Sequence, residues 1–217
     1  MRFSPPANAG HFLRITGQQD GRNFCFHSKL TPVGATHGTE PYQSLLPLEQ
    51  AVQVWLDQPI GELAYPISPE GKLDAALYGS QVAALFNQVQ LAETGADFSC
   101  TSLGNDPVGL ASPVTMRGVT AAYLFANTLV VLEVTEEVLR QTLERCAAYF
   151  TLVDGQPQIS EEFLLPKVEH YNYDFYAGLA YTFDLRRPVG SRVVRLTKLD
   201  GSPLGGGTFR LCTSNYR

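Results

Sequence analysis

Cysteine and histidine are sparse in this chain: four of each occur among 217 residues. Cys25, Cys100, Cys146 and Cys212 stand far apart in apolar or small-residue settings (FCFHS, DFSCTS, LERCAAYF, FRLCTS), without the two-residue spacing of zinc knuckles. They read as buried free thiols, the usual state of this residue type. His11, His27, His37 and His170 form neither His-x-His nor His-Glu-x-x-His, so no metal site built by this chain alone is expected. Positive charge is also short. Lys and Arg number 16 against 21 Asp and Glu, a formal net charge of -5. No basic stripe is present to neutralise a row of phosphates, which argues against a nucleic-acid polymer as partner. Nowhere do roughly 18 apolar residues follow one another, so no membrane span is expected. The opening MRFSPPANAGHFLRITG, with two prolines, lacks the apolar run of a signal sequence. Internal repeats and low-complexity tracts are missing as well.

What remains is an ordinary globular balance, 44% hydrophobic and 17% charged, in a chain long enough to bury a core. Residues 1–39, rich in Gly, Thr, Asn and Gln, show only short extended runs (12–15 and 24–27) and read as a lead-in. From residue 40, Leu45, Leu48, Ala51, Val52, Trp55 and Leu56 recur at helical spacing until Pro59 and Gly61 close the segment. Residues 40–61 therefore read as a linker helix that docks on the domain after it, residues 62–217. A second helix is expected over 73–93, with Leu77, Val82, Leu85, Phe86 and Val89 on one face and Gly95 as its stop. A third begins at Thr135, whose hydroxyl can cap a first turn bearing Glu136 and Glu137, and continues through Leu139, Leu143, Cys146, Ala147 and Phe150. Strand candidates lie at 129–134, 179–185, 192–199 and 208–213, with Asp200-Gly201 as a hairpin turn. The pattern predicts an α+β fold: a mixed sheet flanked by helices.

Four segments can carry chemistry. In 170–184 (HYNYDFYAGLAYTFD) the alternating rings read mainly as core packing, and His170 and Asp174 are polar groups that need partners. The loop 99–116 (SCTSLGNDPVGLASPVTM) carries Asn105 and Asp106 but lacks the lysine and spacing of a phosphate-cradling loop. Then Phe125 with Asn127, and Tyr216 with Asn215, each set a ring beside an amide. Two rings can stack on both faces of a planar base, about 1–3 kcal/mol per ring, while amides read its edge. On spacing alone Phe125 reads equally as a core residue entering the 129–134 strand, and Tyr216 as a surface residue.

The ordered set A-x-x-F-N-x-V-Q (83–90), T-G-A-D (94–97), T-M-R (115–117), Y-x-F-x-N-T-L (123–129), L-E-x-C-A-x-Y-F (143–150), H-Y-N-Y-D (170–174), P-x-G-x-R-V (188–193), D-G-x-P-L (200–204) and S-N-Y-R (214–217) closely resembles the C-terminal domain of the 5′-nucleotidase / 2′,3′-cyclic-nucleotide 2′-phosphodiesterase family, in particular its bacterial cyclic-nucleotide phosphodiesterase branch. The resemblance covers residues 40–217. It implies a 5′-nucleotidase C-terminal-domain-like fold that binds a nucleotide or nucleoside, with Phe125 and Tyr216 as the stacking rings, Asn127 and Asn215 as the neighbouring amides, and the Asn105 loop approaching the ligand. It also implies a partner in cis, an N-terminal metallophosphoesterase domain holding two divalent metal ions, with 1–39 as a remnant of the junction. No cofactor is expected in this chain itself, and no hydrolysis from it alone. The branch usually has tyrosine and proline where Phe125 and Ala126 stand, and relatives continue past the position of Arg217 into a glycine-rich stretch. The chain thus reads as an excised or truncated C-terminal half of a metal-dependent nucleotide phosphohydrolase, exported to the wall, periplasm or medium. The competing expectation is a non-catalytic, cell-surface interaction module that kept the fold without the pocket. A hydrolase built from Asp97, Asp106 or Asp174 with His170 is not expected, because no nucleophile, base and orienting group converge by spacing.

Overall fold

The computed structural model describes residues 10–34 and 39–217, which fall into two compact units, 1–53 and 54–217. In the first, β1 (His11–Asp20) and β2 (Asn23–Pro32) form an antiparallel hairpin about Gly21, whose φ of 60° suits the turn. The short extended runs at 12–15 and 24–27 are the opening parts of these longer strands, because ladder pairing recruits the polar residues that follow them. Opposed pairs place Leu13, Ile15, Phe24, Phe26 and Leu30 on one face and Arg14, Thr16, His27 and Lys29 on the other. Cys25 is exposed on β2, which corrects its reading as a buried thiol. A helix, α1 (Thr39–Leu56), comes next, with Pro47 inside it.

The second unit runs β3 (Pro59–Gly61), α2 (Lys72–Tyr78), α3 (Gln81–Thr94), β4 (Phe98–Ser102), β5 (Val114–Thr115), α4 (Met116–Ala122), β6 (Leu129–Thr135), α5 (Glu136–Ala147), β7 (Phe150–Val153), β8 (Gln156–Ile159), β9 (Asp174–Ala177), β10 (Leu179–Phe183), β11 (Val193–Lys198) and β12 (Thr208–Ser214). Its principal sheet has the order β6-β12-β4-β9 and is mixed: β12 lies antiparallel to β6 and parallel to β4, and β4 is antiparallel to β9. β10 pairs with β11, β7 with β8 and β3 with β5. The expected α+β architecture with a mixed sheet is therefore present.

The single helix expected over 73–93 is two. Gly79, at φ 95°, ends α2, and Ser80 starts α3 by accepting a hydrogen bond from Ala83 N at 3.3 Å. Gly95 stops α3 in the left-handed conformation, as its position predicts. Thr135 caps α5 through Val138 N, 3.3 Å. Asp200-Gly201 forms its turn, with Gly201 at φ 85°, but the stretch after the turn makes only an isolated bridge, Thr197 to Pro203. β11 pairs instead with β10.

Leu139 and Leu143 of α5 are fully buried and pack with Phe98, Leu179, Leu196 and Leu211 into one core cluster. A second cluster gathers Cys146, Tyr149, Phe150, Phe163 and Tyr173. Its rings meet edge-on or tilted, Tyr149 5.0 Å from both Phe163 and Tyr173. The core reading of most rings in 170–184 thus holds. Cys100 and Cys146 are buried, and desolvation pushes both thiols up to about 12, which removes them from thiolate chemistry at neutral pH.

Two buried polar knots tie the layers. Ser99 Oγ lies 2.8 Å from Asn87 Oδ1 and 2.6 Å from Gln90 Oε1, and Asn87 Nδ2 donates to Phe175 O at 2.8 Å, joining α3 to β4 and β9. Asn87→Leu fills the site but strands the Phe175 carbonyl, while the Ser99 hydroxyl keeps Gln90 Oε1 as its acceptor. It should destabilise the domain by about 2–3 kcal/mol in urea unfolding. The second knot is Arg192, 7% exposed. Its guanidinium donates to Ala147 O (2.8 Å), Phe150 O (2.6 Å) and Arg187 O (3.0 Å), while the Glu144 carboxylate accepts from Arg192 N (2.9 Å) and Val193 N (2.7 Å).

Candidate functional site

The end of the β6–β12 ladder sets the geometry. Its last pair is Ser214 with Leu129. One residue further out, Asn215 clasps Thr128 twice: Asn215 N donates to Thr128 O at 2.9 Å, and Thr128 N donates to Asn215 Oδ1 at 3.1 Å. The segments bearing Phe125 and Tyr216 are thereby brought together from positions far apart in the chain.

Both rings face solvent. Phe125 is 67% exposed and Tyr216 65%, so Phe125 is not the core residue its approach to β6 allowed. Asn127 is half-buried, and its N–H donates to Phe125 O at 2.8 Å, folding the loop tightly. Upstream, Thr115 caps α4 by accepting from Gly118 N at 3.2 Å. The ring of Tyr123 packs edge-on against Phe86, with centroids 5.4 Å apart, which fixes the loop base on α3. Arg117, of the same T-M-R segment, pairs with Asp57 at 2.7 Å.

The Asn105 loop lies against this region. A Cβ built on Gly104 would sit 3.8 Å from Leu124 Cδ1. Asn105 Nδ2 donates to Val168 O at 2.9 Å, while its Oδ1 is buried without a donor. Lys72 Nζ donates to Gly104 O; burial lowers this ammonium to about 8, partly offset by Asp106. The imidazole of His170 shares a hydrogen bond of 2.7 Å between Nδ1 and Tyr149 Oη, and burial and then Lys72 hold it below its ordinary value, against the pull of Asp106.

Beyond Tyr216, Arg217 turns inward. Its guanidinium lies 2.8 Å from Asp174 Oδ1, an ion pair without hydrogen-bond alignment, with side-chain exposures of 17% and 18%, and also donates to Tyr171 O. Burial raises the Asp174 carboxyl, and Arg217 opposes that rise. Lys167 Nζ donates to Tyr171 Oη at 3.1 Å, so a cation stands beside the same turn. Lys72 and Lys167 escaped the sequence reading, while Thr128 and Arg217 stood within its motifs without a role of their own. The signal for Arg217 was nonetheless within S-N-Y-R, and for Asp174 within H-Y-N-Y-D.

Among the described residues no group of three or more His, Cys, Asp or Glu comes together to hold a metal ion. Asp97 Oδ2 accepts from Arg210 N at 2.7 Å, Asp174 is held by Arg217, and His170 by Tyr149. These groups are engaged in holding the fold. No helix among the described residues is long and apolar enough to cross a membrane.

The model of the 5′-nucleotidase, C-terminal domain family matches residues 63–217. The chain belongs to this family. As a 5′-nucleotidase C-terminal domain it is 27% identical over 209 residues to the 2′,3′-cyclic-nucleotide 2′-phosphodiesterase/3′-nucleotidase of Haemophilus influenzae, a match covering 80% of this chain and 31% of that protein. A trifunctional nucleotide phosphoesterase of Bacillus subtilis is 25% identical over 49% of this chain and 8% of its own length. The chain thus spans at most about a third of these curated relatives. A candidate 5′-nucleotidase from Staphylococcus aureus, solved in complex with α-ketoglutarate, superposes with a TM-score of 0.83 at 30% identity, over 98% of this chain and 42% of its own. A 5′-nucleotidase precursor from Thermus thermophilus shares the fold, with a TM-score of 0.59 at 23% identity over 94% of this chain and 39% of its own.

Proposed function

We propose that this chain is the substrate-recognition part of a metal-dependent nucleotide phosphohydrolase that acts on 2′,3′-cyclic, 3′- or 5′-nucleotides, and that it holds the base between Phe125 and Tyr216. The observation that carries the reading is the Asn215–Thr128 clasp, which carries two solvent-facing rings on adjoining segments. An exposed ring is poorly stabilised by its own fold and free to stack on a ligand. Asn215 Oδ1 is engaged by Thr128 N, so in this reading its NH2 group meets the base edge, together with the Asn127 amide. The buried Oδ1 of Asn105 is an acceptor in want of a donor, which a ribose hydroxyl or a base amine supplies.

The rest of the chemistry belongs, in the same reading, to an N-terminal domain with two divalent metal ions, which polarise the phosphoryl oxygens and activate water. This domain contributes binding energy remote from the phosphorus, useful where it positions the phosphate against the metals. Export of the whole protein is part of the proposal, in keeping with the precursor form named for one structural relative.

Titration with adenosine and 3′-AMP, followed by ligand-induced chemical shifts, tests the clamp. Saturable shifts with Kd of about 0.1–10 mM are expected for a half-site. Phe125→Ala should weaken binding about tenfold, one ring's worth of stacking, with the melting temperature unchanged. Loss of the fold in that variant, or binding indifferent to it, would sink the assignment. No shifts in the unaltered chain would favour an interaction module without the pocket.

A further inference from the structure

We propose that the largely buried Asp174–Arg217 ion pair is a latch that sets the position of Tyr216, which makes Asp174 and Arg217 positioning residues for the nucleoside; the inference rests on the reading of Tyr216 as one face of the clamp. Tyr216 lies between two anchors. On one side Asn215 is fixed to Thr128 by two hydrogen bonds. On the other, Arg217 N closes a turn onto Ser214 O at 3.1 Å, and its guanidinium reaches inward to Asp174 Oδ1 and Tyr171 O. With the first anchor alone, the dihedrals of Tyr216 would be unrestrained on their far side. With both, the backbone beneath an exposed ring is fixed before ligand arrives, and less ordering remains to oppose binding.

The latch is one of charge, and its effect comes from where Asp174 sits. It begins β9, paired with Ser102 of β4, so its backbone belongs to the principal sheet. Its carboxylate is mostly buried, with Cys100, Cys146 and Tyr176 in its electrostatic surroundings; Arg217 is the cation in contact and Arg145 a more distant one. If Arg217 swings out, it strands a charge in that setting, which is far less favourable than losing a surface pair. The same guanidinium bonds the Tyr171 carbonyl, so the turn carrying Tyr171 and, through its hydroxyl, Lys167 is held in register with Tyr216.

The test is Asp174→Asn, measured in two ways on the same protein. Without ligand, amide exchange at residues 215–217 should rise about tenfold or more while β4 and β6 amides stay as they are. With adenosine, Kd should weaken about tenfold. In a Tyr216→Ala background the same Asp174→Asn change should leave Kd within about twofold, because the latch acts through that ring. Full additivity in the double variant, or unchanged exchange at 215–217, overturns the inference. If the unaltered chain takes up no adenosine, the clamp reading fails on its own, and the exchange data still decide whether the latch holds the segment. Should Asp174→Asn not fold, Arg217→Gln carries the same pair of measurements.

Discussion

Replacing Arg192 with methionine is expected to lower the stability of the domain by about 4 kcal/mol, a fall in melting temperature on the order of 10 °C for a unit of this size. Methionine keeps most of the stem and its packing, so the loss isolates the guanidinium. That group satisfies the carbonyls of Ala147, Phe150 and Arg187 in a place where water does not replace it. Ala147 ends α5 and Phe150 starts β7, so the variant leaves the end of the main core helix without its donor. Three unsatisfied carbonyls at about 1–3 kcal/mol each, partly relieved by relaxation, give the figure. Differential scanning calorimetry reads it, and a shift under about 3 °C would mean that the carbonyls find other donors. Arg192→Lys should recover only part of the loss, because one ammonium cannot span three diverging acceptors.

Gly178→Ala should be comparably damaging for a different reason. Gly178 joins β9 to β10 at φ 88°, where a side chain is strained by roughly 1–2 kcal/mol. An added Cβ would also lie 2.4 Å from Asp97 O and 3.2 Å from Phe98 Cα. Both neighbours are backbone at the start of β4, so relief requires β9 to part from the sheet it edges. We expect a total of about 3–5 kcal/mol, read as a lower urea midpoint at unchanged slope. Gly155→Ala is the control. Its φ of 75° carries the strain, but nothing lies within 4 Å of the new atom, so about 1 kcal/mol is expected. Equal losses at the two glycines would show that dihedral strain, and not the close approach to β4, governs Gly178.

Where periodicity and capping agree, local residues announce their structure. Thr135 with Glu136 and Glu137 places the start of α5, and the β-branched run at 129–134 places β6. β4 was not legible. Ser99, Cys100 and Thr101 are small and polar enough to look like loop, and they become a buried strand because Asn87 and Gln90, on a helix, supply the partners. The break between α2 and α3 was readable in retrospect from Gly79-Ser80, but the apolar stripe of 77–89 continues across it and masks the interruption. α4 is a short helix whose T-M-R motif drew attention for family reasons and not as a helix start. At the site, the ring-plus-amide pairs were visible in the chain, and the clasp joining them was not, because it depends on the β6–β12 register. The burial of Asp174 with Arg217 likewise required three dimensions. A charged residue within an aromatic stretch says only that it needs a partner.

The placement of β12 bears on how the domain is made. Asp97, at the threshold of β4, and Arg210 of β12 meet although 113 residues separate them, and β12 is the strand that lies between β4 and β6. Until β12 is available, β4 with β9 and β6 with α5 have no common ladder, and the edges that β12 will cover stay unpaired. Such distant pairings close slowly. During synthesis β4 therefore waits first for β9 and then for β12, and its edge toward β6 stays unpaired until β12 has emerged. That interval ends with the arrival of the strand that leads into Tyr216.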